Sequence, residues 1–176
     1  KEQGIGCPIE IVDTGQASMG VGMATIVAAR AARNGASLEE TAEAARSAAD
    51  RCECFSLLDT LDYLVKGGRI GKARALFGSL LKIKPLVIVR DGEVHELAKE
   101  RTRRRAIARL GQVAAGFAPV EELAVMYSTT PDEAAALAAD LRGLLPDGKT
   151  PFVARFGPTL GTYTGPGALG VGMLRL

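Results

Sequence analysis

Histidine and aromatic side chains are scarce in this chain of 176 residues, which has one histidine, no tryptophan and 5% aromatic residues. The only histidine, His95, lies in an apparent hairpin, matches no catalytic motif and is expected at the surface. A Ser-His-Asp triad is therefore not supported. Cysteine is scarce as well. Three cysteines, an odd number in a chain large enough to fold without disulfides, fit a reducing cytoplasm.

Long apolar runs and a strong charge excess are also absent. No run approaches the roughly 20 apolar residues of a membrane-spanning helix, and no basic segment followed by an apolar one stands at the N-terminus. The 22 basic and 20 acidic residues leave a net charge of +2, which does not point to a polyanionic partner. We therefore expect a cytoplasmic protein with no membrane span and no nucleic acid partner.

What the chain does have is apolar content, at 47%, which is enough for a substantial core. Strand patterns alternate with helix patterns along most of its length. This alternation predicts an α/β fold in which layered helices cover a mixed, mostly parallel sheet. Asp91-Gly92 is the strongest hairpin signal and predicts an inserted antiparallel β-hairpin.

Individual elements follow from local signals. A first strand is predicted over residues 9–12, a helix over 19–34, and a second helix after the capping box of Ser37 and Glu40. A long basic helix is predicted to begin near Arg101, and residues from 157 on are predicted to form a glycine-rich tail. Residues 71–83 are predicted to form an amphipathic helix. Its apolar face would carry Ala73, Leu76, Phe77, Leu80 and Leu81.

The segment IEIVDTGQASMGVGMAT, residues 9–25, combines two familiar signatures. Asp13-Thr14-Gly15 is typical of aspartic proteases, but these enzymes need two such loops on a nearly all-β scaffold, and helices follow here. Gly20 and Gly22 resemble a dinucleotide loop, but six residues separate Asp13 from Gly20. The acidic residue expected about 20 positions further on is also missing.

Two interpretations of this segment remain open. In the first, Ser18 is simply the N-cap of the following helix. In the second, the small residues let a ligand lie against the start of the helix, where free N–H groups favour an anionic head group.

Cysteine pairs and basic clusters give two further candidate features. Cys52 and Cys54 share a face of a predicted strand, but without a nearby histidine or a second pair a zinc site is not favoured. A basic patch brackets the hairpin, with few aromatics among its charges, so a solvated face is favoured over a nucleic acid site. The patch consists of Lys66, Arg69, Lys72, Arg74, Lys99, Arg101, Arg103, Arg104 and Arg105.

The segment LDYLVKGGRIGKARALFGSLLKIKPLVIVRDGEVHELAKERTRRRAI contains an ordered set of motifs. These are a tyrosine-leucine helix, a Gly-Gly-Arg-Ile turn, a GSLL helix leading to an Ile-Lys-Pro strand, an Asp-Gly hairpin and an Arg-Thr-Arg helix. The set closely resembles the DegV family of bacterial fatty-acid-binding proteins. VDTGQASMGVG and GPTLGTYTGPGALGVG extend the resemblance to both ends of the chain.

The resemblance implies that residues 1–176 correspond to the C-terminal, acyl-chain-binding domain of the family. Residues 1–14 would then be the crossover from an N-terminal domain that this chain lacks, whose Thr and Ser residues hold the carboxylate. It further implies a carrier, not an enzyme, that buries a long-chain fatty acid without a cofactor or metal. The carrier would present the carboxylate to a fatty acid kinase, which makes an acyl phosphate for phospholipid metabolism.

Site residues follow from the resemblance and from apolar character. The expected fatty-acid contacts are Ser18, Met19, Gly20, Met23, Leu76, Phe77, Leu80, Met126, Tyr163, Thr164 and Gly165. Arg69 and Arg101 match family arginines and are expected to contact the kinase, although Arg69 could instead tie its turn to a nearby carboxylate.

Two positions depart from the family pattern. Tyr163 stands where the family commonly has histidine, and a phenol donates a hydrogen bond but does not titrate near neutral pH as imidazole does. Thr14 replaces the usual serine and keeps its hydroxyl. An alternative is a small-molecule enzyme or nucleotide binder that uses the loops around Gly20 and Gly167. A regulatory nucleic-acid binder that uses residues 101–105 is a third possibility.

Overall fold

The computed structural model describes residues 6–76 and 83–176, with the backbone alone for residues 75 and 76. The α-helices in these ranges are α1 (Met19–Arg33), α2 (Leu38–Arg51), α3 (Asp62–Lys66), α4 (Arg103–Gly116), α5 (Pro131–Leu141) and α6 (Pro158–Thr164). The strands are β1 (Cys52–Leu57), β2 (Lys84–Arg90), β3 (Glu93–Glu100), β4 (Val120–Tyr127), β5 (Phe152–Arg155) and β6 (Leu169–Arg175). Two short 3₁₀ helices are Gly71–Leu76 and Arg142–Leu144.

The strands form one six-stranded sheet in the order β3-β2-β1-β6-β4-β5. The expectation of a mostly parallel sheet is wrong, because β1–β2, β1–β6, β2–β3 and β4–β6 are antiparallel and only β4–β5 is parallel. Within the described ranges, only β4-α5-β5 is a parallel crossover between neighbouring strands. The other strands that follow each other along the chain either pair antiparallel or are not neighbours in the sheet.

Strand β6 is the largest element that the sequence pattern did not predict. Residues 157–176 were expected to be a tail, but they contain α6 and then β6, which lies between β1 and β4 in the middle of the sheet. Gly170 and Gly172 hid the strand, since glycine is depleted in strands. Here the missing side chains allow α1 to approach: a Cβ built on Gly172 would lie 2.7 Å from the Cβ of Met19.

Helices cover both faces of the sheet, as expected for an α/β fold. Helices α4 and α5 pack on one face, where Leu110 and Leu137 meet sheet residues such as Val125 and Val171. The other face, called the α1 face below, carries α1, α2, α3 and α6, with Met23 among the side chains buried there. Each face has its own apolar cluster, and the two clusters form the core of the protein.

Several local predictions are confirmed and others are wrong. The Ser37–Glu40 capping box is formed, and Asp91 (φ 52°) and Gly92 (φ 72°) have the two positive φ angles of a type I′ hairpin turn. Residues 9–12 form no strand, because they pair with no neighbouring strand in the described part of the chain. The predicted helix over 71–83 is a 3₁₀ helix as far as residue 76, and residues 77–82 lie outside the described ranges.

Two edges of the sheet are used below to locate side chains. At the upper edge β1, β3, β4 and β5 end and β2 and β6 begin, and at the lower edge lies the hairpin turn between β2 and β3. His95, expected at the surface, is half-buried on β3 opposite Ile88. Among the described helices, none is both long and apolar enough to span a bilayer.

Candidate functional site

An apolar cavity of about 250 Å³ lies on the α1 face of the sheet. Its floor is formed by side chains of neighbouring strands, among them Cys54, Val87 and Val94. Leu64 of α3 and Leu160 of α6 contribute to the helical side, called the roof below. The volume is close to the lower end of ligand pockets, which begin near about 300 Å³. Such a lining suits an apolar ligand and not a metal or a nucleotide.

The sheet register gives the direction of the cavity. Its lining includes Gly92 of the hairpin turn at the lower edge and Phe156, which follows β5 at the upper edge. Between these points it follows β1 and β2, whose register pairs Cys54 with Val89. The lining residues from Cys54 to Leu58 span roughly 13 Å at about 3.3 Å per residue. The cavity is therefore elongated along the strands, as an extended hydrocarbon chain would require.

Polar side chains interrupt the apolar lining at the roof. Arg69, Tyr163 and Thr164 all line the cavity, so three residues expected from the sequence come together here. The Thr164 hydroxyl donates to the carbonyl of Leu160 at 3.1 Å. This bond uses the hydroxyl proton, so toward a ligand the Thr164 oxygen can only accept a hydrogen bond.

Tyr163 is held by a close fit between α3 and α6. A Cβ built on Gly67 would lie 2.3 Å from the Tyr163 ring, so the ring packs directly on the glycine backbone. The Arg69 guanidinium lies 5.7 Å from the centroid of the same ring, within range of a cation–π interaction. No carboxylate pairs with Arg69 in the described ranges. The expected alternative tie to a carboxylate is thus replaced by stacking on Tyr163.

Gly165 has a supporting role beside the cavity and does not line it. It has a φ of 72°, and a Cβ there would lie 2.3 Å from the ring of Tyr63. Only glycine therefore fits between α3 and the end of α6. The placement explains the glycine but leaves its expected contact with a ligand as a prediction.

Ser18 precedes α1 with an unusual backbone, φ 52° and ψ −128°, and its side chain makes no capping hydrogen bond. A non-glycine residue at such a φ carries strain of about 1–3 kcal/mol, which is often found at functional sites. Ser18 also lines the cavity. The N-cap interpretation is therefore correct in position but not in hydrogen bonding, and the hydroxyl remains available to a ligand.

The expected methionine contacts lie deeper than the cavity. Met23 and Met126 are 0% and 1% exposed and pack between α1 and the sheet, while Met19 packs against Gly172. Gly20 is buried next to Gln16. None of these four residues lines the cavity, and their contact with a ligand stays a prediction. The side chain of Leu76, and Phe77 and Leu80 entirely, lie outside the described residues.

A charged cluster that the sequence did not predict lies at the upper edge of the sheet. Arg103 donates to both Glu133 and Asp59, and Lys84 donates to Asp59 at 2.8 Å. The hydrogen bonds from Arg103 lower the pKa of the Glu133 carboxyl below its usual range. Only the fold reveals the cluster, because its members come from α4, α5, β2 and the loop after β1. Arg101, two positions before Arg103, is exposed and has no ion pair within the described ranges.

The described residues do not favour a metal site or a nucleotide site. No group of three or more potential ligands there could hold a metal ion. Burial raises the pKa of both Cys52 and Cys54 to about 11, so their thiols stay protonated and unreactive at neutral pH. A Cβ on Gly167 would lie 2.7 Å from the Asp59 carboxylate, which disfavours a phosphate at this loop.

Comparison with protein families and curated proteins gives a consistent match. The model of the DegV family, described as uncharacterised proteins, matches residues 2–176. A DegV domain-containing protein of Streptomyces coelicolor is 44% identical over 167 residues, covering 93% of this chain and 59% of that protein. One of Clostridium acetobutylicum is 39% identical, covering 93% and 58%. This chain thus spans less than two thirds of the length of these relatives.

Solved structures agree with the sequence matches. A DegV family protein from Corynebacterium glutamicum superposes with a TM-score of 0.84 at 34% identity, covering 94% of this chain and 64% of that chain. A DegV family protein from Thermus thermophilus, whose structure is described as showing fatty acid binding, gives 0.84 at 30% identity. That match covers 95% of this chain and 61% of that one. A fatty-acid-binding DegV protein from Streptococcus agalactiae gives 0.83 at 28% identity, covering 95% and 60%.

Proposed function

Because the chain belongs to the DegV family, we propose that it binds a long-chain fatty acid in the cavity between the sheet and the helices α3 and α6. The observation that carries the proposal is the elongated apolar lining of that cavity, interrupted by hydrogen-bond donors at the roof. The described fatty acid binding of the Thermus thermophilus and Streptococcus agalactiae proteins supports the same assignment.

Burial of the hydrocarbon supplies the affinity in this proposal. Each methylene that leaves water contributes about 0.8 kcal/mol, so ten buried methylenes contribute roughly 8 kcal/mol before the cost of immobilising the chain. Ionic contacts contribute less. The protein therefore discriminates fatty acids by the shape of the cavity more than by the head group.

The donors at the roof define where the carboxylate binds. The Arg69 guanidinium lies over the Tyr163 ring. Both the guanidinium and the phenol can donate a hydrogen bond to a carboxylate oxygen. Ser18 also lines the cavity, and its hydroxyl makes no capping bond. In this arrangement Tyr163 would orient the head group as a hydrogen-bond donor.

We further propose that the protein is a carrier and not a catalyst, and that it presents the carboxylate to a fatty acid kinase for acyl-phosphate formation in the cytoplasm. The side chains of Arg69 and Arg101 are exposed and can reach a partner, whereas Arg103 is engaged by Glu133 and Asp59. The cysteines Cys7, Cys52 and Cys54 are unpaired, which agrees with a reducing compartment.

Arg101→Ala tests the kinase contact. With fatty acid, ATP and the partner kinase supplied, we expect the variant of the full-length protein to bind fatty acid normally but to support acyl-phosphate formation about tenfold more slowly. The reason is that a hydrogen bond to a charged group is worth about 1.5–3 kcal/mol. The readout is the acyl phosphate formed per unit time, trapped with hydroxylamine.

Arg104→Ala is the matched control, because Arg104 is also exposed and lies three residues further along the chain, in the first turn of α4. Equal rates for the Arg101 and Arg104 variants would remove Arg101 from the kinase contact. Failure of the delipidated wild-type protein to take up any fatty acid would contradict the carrier function itself.

A further inference from the structure

A second cleft lies behind the lower end of the cavity. It has a volume of about 310 Å³ and polar walls that include Asp50, Glu53 and Arg90. Gln16 and Val89 line both this cleft and the apolar cavity. Gln16 therefore stands between an apolar space and a polar one, and its side chain is part of the wall that divides them.

The position of Gln16 is fixed on several sides. Its Nε2 donates to the carbonyl of Cys52 at 3.2 Å, at the start of β1. The preceding residue, Gly15, accepts a hydrogen bond from the N–H of Gly92 at 3.0 Å, which ties the loop to the hairpin turn. On the helix side, a Cβ built on Gly20 would lie 2.7 Å from the Gln16 Oε1 and 2.9 Å from its Cβ. The side chain is thus clamped between β1, the hairpin and α1.

The chemistry of this end of the cavity suits a methyl terminus and not a carboxylate. The Gln16 Oε1 is buried and has no hydrogen-bond partner among the described residues, so the free group is an acceptor. Glu93 also lines this end, where its carboxylate is paired with Lys72 at 3.2 Å. A carboxylate needs hydrogen-bond donors, and the unpaired Gln16 oxygen is only an acceptor, whereas Arg69 and Tyr163 at the roof can donate. The tail of a bound acyl chain would therefore point toward Gln16.

We propose that Gln16 sets the length of the acyl chain by closing the lower end of the cavity. This inference rests on the proposed fatty acid binding and adds to it a residue that determines specificity. A chain that reaches Gln16 cannot extend further, because the side chain blocks the passage to the polar cleft. Truncation at this position joins the two spaces and leaves room for additional methylenes.

Gln16→Ala in the full-length, delipidated protein tests the proposal. The probes are saturated fatty acids from dodecanoic to eicosanoic acid, titrated by isothermal calorimetry. For the wild type, affinity should rise with length and then fall at a limit. For Gln16→Ala, the limit should move up by two or more carbons. Relative affinity for chains beyond the wild-type limit should rise about 15-fold, since each buried methylene is worth about fourfold in Kd.

Two further variants test whether the length limit depends on the Gln16 side chain filling the lower end of the cavity. Gln16→Leu keeps the volume but not the amide and should retain the wild-type length limit. Gln112→Ala removes an exposed glutamine side chain on α4, on the opposite face of the sheet, and should also retain it. If Gln16→Ala fails to fold, Gln16→Ser makes nearly the same space and should show the same shift.

The results separate the role of Gln16 from fatty acid binding itself. An unchanged length limit in a folded Gln16→Ala or Gln16→Ser protein, with fatty acid bound, overturns the role of Gln16 and leaves fatty acid binding intact. A shift of the same size in Gln112→Ala would also overturn it. No fatty acid binding by the wild-type protein overturns both proposals.

Discussion

At the residue scale, Glu122 of β4 is the buried acidic residue among those that the structure describes. Arg30 donates to its Oε1 at 2.7 Å and Lys149 donates to the same oxygen at 2.9 Å, and the side chain is only 6% exposed. Burial alone would raise the pKa of Glu122, but the hydrogen bonds from Lys149 and Arg30 outweigh it and lower the pKa below the usual 4.5. Glu122 thus links α1 to β4 as long as it is ionised.

Glu122→Gln should make the protein less stable at pH 7 and less sensitive to acid. A carboxyl with a depressed folded-state pKa contributes stability above its unfolded pKa, and that contribution is lost as the pH falls from about 4.5 through the folded value. At pH 7 we expect a loss of about 1–3 kcal/mol in unfolding free energy. Between pH 6 and 3 the difference from wild type should shrink, measured by urea unfolding.

Glu43→Gln is the matched control because its ion pair with Arg46 is exposed, with 73% of the Glu43 side chain accessible. A surface pair contributes at most about 1 kcal/mol. A pH-independent difference between wild type and Glu122→Gln would contradict the assigned ionisation of Glu122.

Local sequence signals predicted the structural role of some residues. Ser37 and Glu40 lie three positions apart and form their capping box as expected. Arg69 and Tyr163 were singled out on motifs, and the structure brings them into contact. Gln16 and Glu122 could not be predicted, because their partners are distant in sequence: Gln16 bonds to Cys52 and Glu122 to Arg30.

At the scale of elements, the packing of α1 on β6 holds the α1 face together. The contact depends on Gly172, where an added Cβ would meet the Cβ of Met19 at 2.7 Å and its backbone carbonyl carbon at 3.4 Å. Because α1 also positions Ser18 and Gln16, this packing fixes one wall of the cavity. A glycine pattern that suggested a tail is in fact a requirement for helix–sheet contact.

Gly172→Ala should therefore destabilise the protein by about 1–3 kcal/mol, the usual cost of overpacking a close contact. The measurement is the shift in the urea unfolding midpoint. Gly111→Ala is the control, since Gly111 lies inside α4 and the nearest atom to an added Cβ is 3.8 Å away. There, alanine should stabilise the protein by about 0.5–1 kcal/mol through helix propensity. Equal effects at the two positions would contradict the proposed role of Gly172.

At the scale of the whole molecule, the α/β class and the family are confirmed, while the direction of the strands is not. Periodicity reports which residues face a core, so the strands over Cys52–Leu57 and Val120–Tyr127 and the helices α3 and α4 between them were predictable. Whether two strands pair parallel or antiparallel depends on contacts between distant segments, such as β6 with β1 and β4. The elongated cavity follows from that arrangement and could not be derived from local patterns.

Whether this cavity binds the hydrocarbon of a fatty acid can be measured by calorimetric titration of the delipidated full-length protein with hexadecanoic acid. Leu160 lines the cavity from α6, whereas Leu38 on α2 is 36% exposed and away from it. We expect wild type and Leu38→Trp to bind alike and a folded Leu160→Trp protein to bind about tenfold or more weakly. The indole would displace methylenes worth about fourfold each. Equal affinity of Leu160→Trp and wild type, or no binding by wild type, would contradict this expectation.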